Sequence, residues 1–247
     1  MKKSTLIILL GILVAWASLA QESETRKLSS FSKVSAHEGI DVFLKKGNSE
    51  EVKVVADSHD LDEVLTDVNG STLKIHLEGS KSRNVDVDVY VTYKSLTALS
   101  ASSAASIEAE TVIDADGDFD INVSSAGDIR ASIKGVDDMD IDISSSGNAR
   151  LKVAAVSVNA DVSSAGDLEV EGISDTQDIE VSSAGGYDGY ELESKKVDAV
   201  ASSAGSIRVN VSEKIRARAS SGGSVRYKGS PKYVDANSSS GGSVKKS

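Results

Sequence analysis

Asp114-Ala115-Asp116-Gly117-Asp118 is the stretch of the chain most like a cation-binding loop. Alternating carboxylates can wrap a hard cation, but a helix-flanked calcium loop needs glycine at its sixth place and a bidentate Glu at its twelfth. Counted from Asp114, those places hold Phe119 and Ser125. The run therefore reads as a solvated turn, and no metal site is expected. His37, His59 and His76 have no ligand spacing to one another. The absence of Cys excludes thiolate ligands, a cysteine nucleophile, disulfides and an acylated N-terminal Cys.

Serine is abundant, at 43 of 247 residues. A serine nucleophile needs a neighbouring base, and many hydrolases present it on a Gly-x-Ser-x-Gly elbow. The chain has no such elbow, and no His recurs beside its serine-rich segments. Glycan-cleaving enzymes use paired carboxylates instead. Asp118, Asp120, Asp137, Asp138, Asp140 and Asp142 are the candidates, but they mostly fall on the outward phase of alternating segments, where acids keep a surface solvated. No catalytic residue and no cofactor is expected. The enzymatic alternative is a β-helical polysaccharide lyase or hydrolase.

The bases are more suggestive. Residues 21–213 carry 37 acids and 17 bases, whereas residues 214–247 carry eight bases and one acid. Arg208, Lys214, Arg216, Arg218, Arg226 and Lys228 gather towards this end, and such a group suits an anionic glycan, a lipid headgroup or an acidic protein surface. The same basic end could meet an acidic surface end to end and form a homo-oligomer. Nucleic acid is not an expected partner of an exported, acidic protein.

Export is read from the first twenty residues. Lys2 and Lys3 precede an apolar run from Leu6 to Ala17, and Ser18-Leu19-Ala20 offers small residues for cleavage before Gln21. The uncharged run is shorter than the roughly 20 residues that span a bilayer. The mature protein is expected in the periplasm, on the outer surface or in the medium, and not spanning the membrane.

The elements that hold these residues repeat. Ser-Ser-small-small recurs with its first Ser at 102, 124, 144, 163, 182, 202, 220 and 239. Three positions before it stand Leu99, Ile121, Ile141, Ala160, Ile179, Ala199, Ala217 and Ala236; five after it stand Ile107, Ile129, Ala149, Leu168, Tyr187, Ile207, Val225 and Val244. Apolar residues alternate with polar ones on both sides, the pattern of strands with one buried face. Each unit reads as strand, tight corner, strand, variable turn. A 20-residue unit of this kind cannot bury its apolar face alone, so the units must stack as a β-solenoid with neighbouring coils about 4.8 Å apart. Stacked serine hydroxyls are expected to bond from coil to coil. Six positions after each first Ser runs an outward column, Glu108, Arg130, Arg150, Glu169, Asp188, Arg208, Arg226 and Lys245. No polar cap follows Val244, so the last coil is expected to be open.

Residues 28–96 are less regular. Val34, Ile40, Val42, Leu44, Val52, Val54, Leu73, Ile75 and Leu77 mark alternating segments, and Asn69-Gly70 marks a hairpin or tight turn. The expected organisation is a leader over 1–20, a β-rich capping part over 21–96 and solenoid repeats over 97–247, the last two forming one continuous domain.

Phe31-Ser32-Lys33-Val34, Gly39-Ile40-Asp41-Val42, Leu73-Lys74-Ile75, Val89-Tyr90-Val91-Thr92 and Ser95-Leu96-Thr97-Ala98-Leu99, with the repeated Ser-Ser-Ala-Gly-Asp-Ile, resemble the head GIN domain family of auto-transporter adhesins. Asp41 stands where that family usually has Asn. The resemblance spans about residues 28–247. It implies a right-handed parallel β-helix, export in Gram-negative bacteria and a role in adhesion, with no catalytic residues. The expected function is a non-enzymatic binding module that contacts a glycan or a cell-surface protein.

Overall fold

The computed structural model describes residues 22–56, 61–79 and 85–247. The leader expected over 1–20 lies outside the described residues. The chain folds as a β-solenoid, and among the described residues the strands join in one 18-stranded sheet. The strands are β1 (Glu22–Lys27), β2 (Lys33–Ala36), β3 (Asp41–Lys46), β4 (Glu51–Ala56), β5 (Val64–Asn69), β6 (Thr72–Leu77), β7 (Val87–Tyr93), β8 (Ala98–Ala101), β9 (Ser106–Ala109), β10 (Ile113–Val123), β11 (Asp128–Ile143), β12 (Asn148–Val162), β13 (Asp167–Val181), β14 (Gly186–Ala201), β15 (Ser206–Ala219), β16 (Ser224–Lys228), β17 (Tyr233–Ser238) and β18 (Ser243–Lys246). A 3₁₀ turn, Leu61–Glu63, precedes β5.

The repeat corners are tight turns of unusual composition. The second and third residues both have positive φ, as in Ser125 (49°) and Ala126 (62°), or Ser164 (51°) and Ala165 (59°). The fourth residue's N–H returns to the first residue's carbonyl, as in Gly127 to Ser124 at 2.9 Å. Two left-handed residues closed by this bond form a type I′ turn, which ordinarily selects Asn, Asp or Gly. Ser and Ala there cost roughly 1–3 kcal/mol each unless the surroundings hold them. The next coil does so. The Ala126 N–H donates to the Ser145 carbonyl (3.1 Å), Ser146 to Ser164 (3.0 Å), Ala165 to Ser183 (3.1 Å), Ala184 to Ser203 (3.0 Å) and Ala204 to Ser221 (3.1 Å). Among the described residues no hydroxyl-to-hydroxyl bond joins successive serine corners. The expected hydroxyl ladder is a backbone ladder, and the side chains need only be small.

The fourth position, Ala105 in the first serine corner, is glycine in every later one for a different reason. A Cβ on Gly205 would sit 2.5 Å from the Val181 carbonyl oxygen of the coil beneath. The glycine corners therefore bring backbones closer together than a Cβ allows.

Between corners the chain does not pause in a variable turn. β11 to β15 each run unbroken from one corner to the next, and the bend is made inside the strand. In β11 the buried positions are 129, 131, 133, then 136, then 139, 141 and 143. The period-two alternation slips twice, at Lys134-Gly135 and at Asp137-Asp138, and each slip adds an outward residue that turns the strand, as a bulge does. The register also shifts between Lys134 and Val136. Asp114 to Asp118 lie on such a bulged strand in β10, with shifts at Gly117.

The parallel register makes each repeat position a ladder. Ile107, Ile129, Ala149, Leu168, Tyr187, Ile207, Val225 and Val244 are successive Cα partners, and all but Val244 are buried. Two members look misplaced, Tyr187 in this ladder and Gln177 in the ladder of Phe119, Met139 and Val158. They explain each other. The Tyr187 hydroxyl donates to Gln177 Oε1 at 2.8 Å, and Gln177 Nε2 donates to Ser194 Oγ at 2.6 Å. Burial pushes the Tyr187 phenol far up, so it stays a donor.

The N-terminal part already contains a coil. β2 and β3 flank the turn His37-Glu38-Gly39-Ile40, where Glu38 (64°) and Gly39 (73°) carry the positive φ pair. Val34 and Ala36 stack on Leu99 and Ala101, and Val42 stacks on Ile107. Gly39-Ile40-Asp41 is thus one more corner of the stack, with Gly39 N–H bonded to the Ser103 carbonyl (2.9 Å). Beneath it β6 and β7 continue the parallel pairing. Antiparallel β5, β4 and β1 then end the stack. The β5–β6 hairpin turns at Asn69-Gly70, where Gly70 has φ 62°.

Two neighbouring substitutions should therefore have opposite effects. Gly205→Ala is expected to lose about 2 kcal/mol or more through the close carbonyl contact. Ala204→Gly, at φ 64°, is expected to be neutral or to gain up to about 1 kcal/mol. Chemical unfolding of both variants checks this; equal losses would contradict the corner geometry.

Candidate functional site

The six basic residues at the C-terminal end occupy two faces. Arg208, Arg226 and Lys228 lie on strands that follow a corner, in β15 and β16. Lys214, Arg216 and Arg218 lie past the bend of β15, on the strand that approaches the next corner. The structure brings Arg208 beside Arg226 and Lys245 in one ladder and aligns Lys214, Arg216 and Arg218 along another face. It does not merge the two sets.

Their partners differ as well. Arg208 pairs with Asp188 at 3.0 Å. Arg216 stands in register between Asp198 and Asp235, at 3.0 and 3.7 Å, and Lys228 reaches Glu191 at 2.9 Å. Such exposed pairs contribute at most about 1 kcal/mol each. Among the described residues Lys214, Arg218 and Arg226 have no acid within ion-pair distance.

The last described coil around them is largely exposed. Every residue of β17 is exposed. Val234 belongs to the ladder of buried Val197 and Ile215 but is 49% exposed, and Tyr233 is 70% exposed. The Gly241 N–H of the last corner has no acceptor among the described residues. This exposed coil carries a fringe of Lys232, Lys245 and Lys246.

Away from this end the same face turns acidic. Asp120, Asp140, Asn159, Asp178 and Asp198 form one ladder, and Asn122, Asp142, Asp161 and Glu180 the adjacent one. Burial, then the charges of Asp161, Asp140 and Asp120, raise the Asp142 carboxyl above its usual range. Asn159 relieves one ladder by donating to Asp140 at 2.8 Å.

For glycan cleavage, the relevant depression is a shallow groove of about 380 Å³ lined by Arg150, Asp167, Glu169, Asp188 and Arg208. Its Glu169 pairs with Arg150 at 3.5 Å and its Asp188 with Arg208, and both acids are exposed, 69% and 42%. Carboxylates that face water and hold cations are a poor environment for a proton-donating acid.

One contact is not legible from the repeat alone. His37, in the first corner, has its Nδ1 2.7 Å from Ser102 Oγ and its Nε2 2.9 Å from Ser35 Oγ. Burial, then nearby Lys74, hold the ring below the ordinary His range. A hydrolytic pair would need a carboxylate to orient the ring and free amides for an oxyanion. Here a serine holds the second nitrogen, and the corner amides of Gly39 and Ala104 already donate to Ser103 and Ser125. The contact ties the first two corners together.

Comparison with known proteins follows the same lines. The family model described as "Putative auto-transporter adhesin, head GIN domain" matches residues 30–140 and 120–231. A crystal structure of a putative adhesin from Parabacteroides distasonis superposes with a TM-score of 0.85 at 19% identity, over 92% of this chain and 96% of that one. A putative adhesin from Parabacteroides merdae gives 0.84 at 18%, over 92% and 95%. A protein from Parabacteroides distasonis titled a putative lipid binding protein gives 0.78 at 20%, over 92% and 96%. These likenesses show a shared fold. No curated protein matches the chain.

The acidic ladder yields a pH test. The raised Asp142 pKa means that its charged form is disfavoured in the folded state. That penalty is present above the folded pKa and fades as pH falls towards the unfolded value. Asp142→Asn should therefore stabilise the protein at pH 7 by a few tenths to about 1 kcal/mol, with the gain vanishing in acid. Thermal unfolding at both pH values checks it; a loss of stability at pH 7 would count against like-charge repulsion.

Proposed function

The chain belongs to the family described as "Putative auto-transporter adhesin, head GIN domain", and from that membership we propose a non-enzymatic, exported adhesion-type module that binds through its open, basic C-terminal coils. The name of the family places its members among exported or surface proteins. The observation that carries the reading is the last coil. It leaves the ladder residue Val234 uncovered and is ringed by cations, of which Lys214, Arg218 and Arg226 lack an acid partner among the described residues. Unpaired guanidinium groups beside free strand edges suit an anionic, extended ligand, either an acidic glycan or the acidic surface of a cell-surface protein. The same end also suits a homo-oligomeric contact. The exposed, ion-paired state of Glu169 and Asp188 favours this reading over a polysaccharide lyase or hydrolase.

Retention on immobilised polygalacturonate and on a sulfated glycan tests it. Lys214→Glu, Arg218→Glu and Arg226→Glu combined should weaken retention about tenfold or more, because reversal replaces attraction with repulsion, and salt should weaken the wild-type protein in the same way. Unchanged retention of the triple variant would sink the proposal.

A further inference from the structure

The two ends of the solenoid are complementary in shape and in charge. Among the described residues, β17 and β18 at the C-terminal end each pair on one side only, with β15 and β16. At the N-terminal end, again among the described residues, β5 pairs only with β6, and β1 only with β4. Each end therefore shows two strand edges side by side: β5 and β17 end one face of the stack, β1 and β18 the other. β5 and β6 are antiparallel, and β6 runs with β2, β8 and the later coils. β1 is antiparallel to β4, which is antiparallel to β7, so β1 runs in the direction of β3, β9 and β18.

Charge separates the ends. β1 and residues 61–69 hold five acids, Glu22, Glu24, Asp62, Glu63 and Asp67, against Arg26 and Lys27. Arg26 is partly spent inside, where its guanidinium donates to the Leu61 and Val64 carbonyls. Residues 224–247 hold five bases, Arg226, Lys228, Lys232, Lys245 and Lys246, against Asp235. Apolar surface is present at both ends: Leu61 and Val68 are only partly buried at the acidic one, and Tyr233 and Val234 are exposed at the basic one.

We propose that the basic open end docks onto the acidic end of a second copy of this chain. In that contact β17 meets β5 of the next copy antiparallel, β18 meets its β1 parallel, and the uncovered Val234 ladder gains a neighbour. Lys on an edge strand normally blocks pairing between like edges. Here the same lysines repel another basic end and attract an acidic one, so the device that prevents tail-to-tail contact specifies head-to-tail contact. A head-to-tail contact is heterologous, and one that does not close into a ring grows as a chain of copies. The inference rests on the reading of the C-terminal coil as the binding surface, and it names the partner as this protein itself.

Light scattering and sedimentation of the protein without its leader test the proposal. At low salt the mass should rise with concentration past the dimer and fall as salt is added. Glu22→Lys with Asp62→Lys, which touches neither the basic end nor the core, should raise the concentration needed for association about tenfold or more. Lys232→Glu with Lys245→Glu should do the same, and mixing the two variants should restore association, because each then offers the end the other lacks. A wild-type protein that stays monomeric at every concentration overturns the proposal. So does an association that survives reversal of the acidic end, which would mean a tail-to-tail pair or another surface. The acidic-end variant keeps every residue tested on glycans, so failure of self-association leaves glycan retention intact and the two readings fall separately.

Discussion

The structure hangs on one backbone contact, the bond from the left-handed third residue of each corner to the second residue of the corner above it. Residues such as Ala126 and Ala165 adopt a conformation that is unfavourable for them in isolation. The bond they donate at about 3 Å exists only when the next coil is in place. Corner and stack are thus interdependent. A single repeat would have neither a buried face nor a reason to keep its turn, which is why the unit is stable only in the array. It also explains the composition. From the second serine corner onward the position whose backbone passes within carbonyl contact of the coil below is glycine, and the outer two positions of the serine corners hold only small side chains.

The corner also fixes the register, and with the register every residue type becomes a column. Inward columns fill with Val, Ile, Leu and Ala. Where a column holds a polar side chain, another column answers it, as Gln177 answers Tyr187. Outward columns have no such freedom. Identical charges are forced to within one coil spacing, and the chain relieves them by exchange along the ladder: Asn159 for an Asp, Arg216 between Asp198 and Asp235. The basic end does not follow this rule: Arg208, Arg226 and Lys245 stand in successive coils of one ladder.

Much of this is legible in the sequence because the repeat is strict. The eight Ser-Ser corners, the inward ladders and the outward column from Glu108 to Lys245 stand in register in the structure as their spacing indicates. What was not legible has identifiable causes. The first corner has His37-Glu38-Gly39-Ile40 in place of serines and lies 65 residues before its neighbour, so no period exposes it or the His37–Ser102 contact. The basic residues look like one cluster in the sequence, but a bend between Arg208 and Lys214 sends them to different faces. The bend itself hides inside an unbroken strand, because two slips of phase look like a loop when only alternation is counted. Serine suggests a hydroxyl ladder, whereas the corner uses its backbone and needs serine only to be small.

Native-state hydrogen exchange of the corner amides tests this account most directly. If the coil-to-coil bond holds the stack together, the amides of Ala126, Ser146, Ala165, Ala184 and Ala204 should exchange as slowly as the buried ladder strands, although their side chains are exposed. The Gly241 amide of the last corner should exchange orders of magnitude faster in the monomer. Fast exchange at all the corners, with protection confined to the strands, would contradict it.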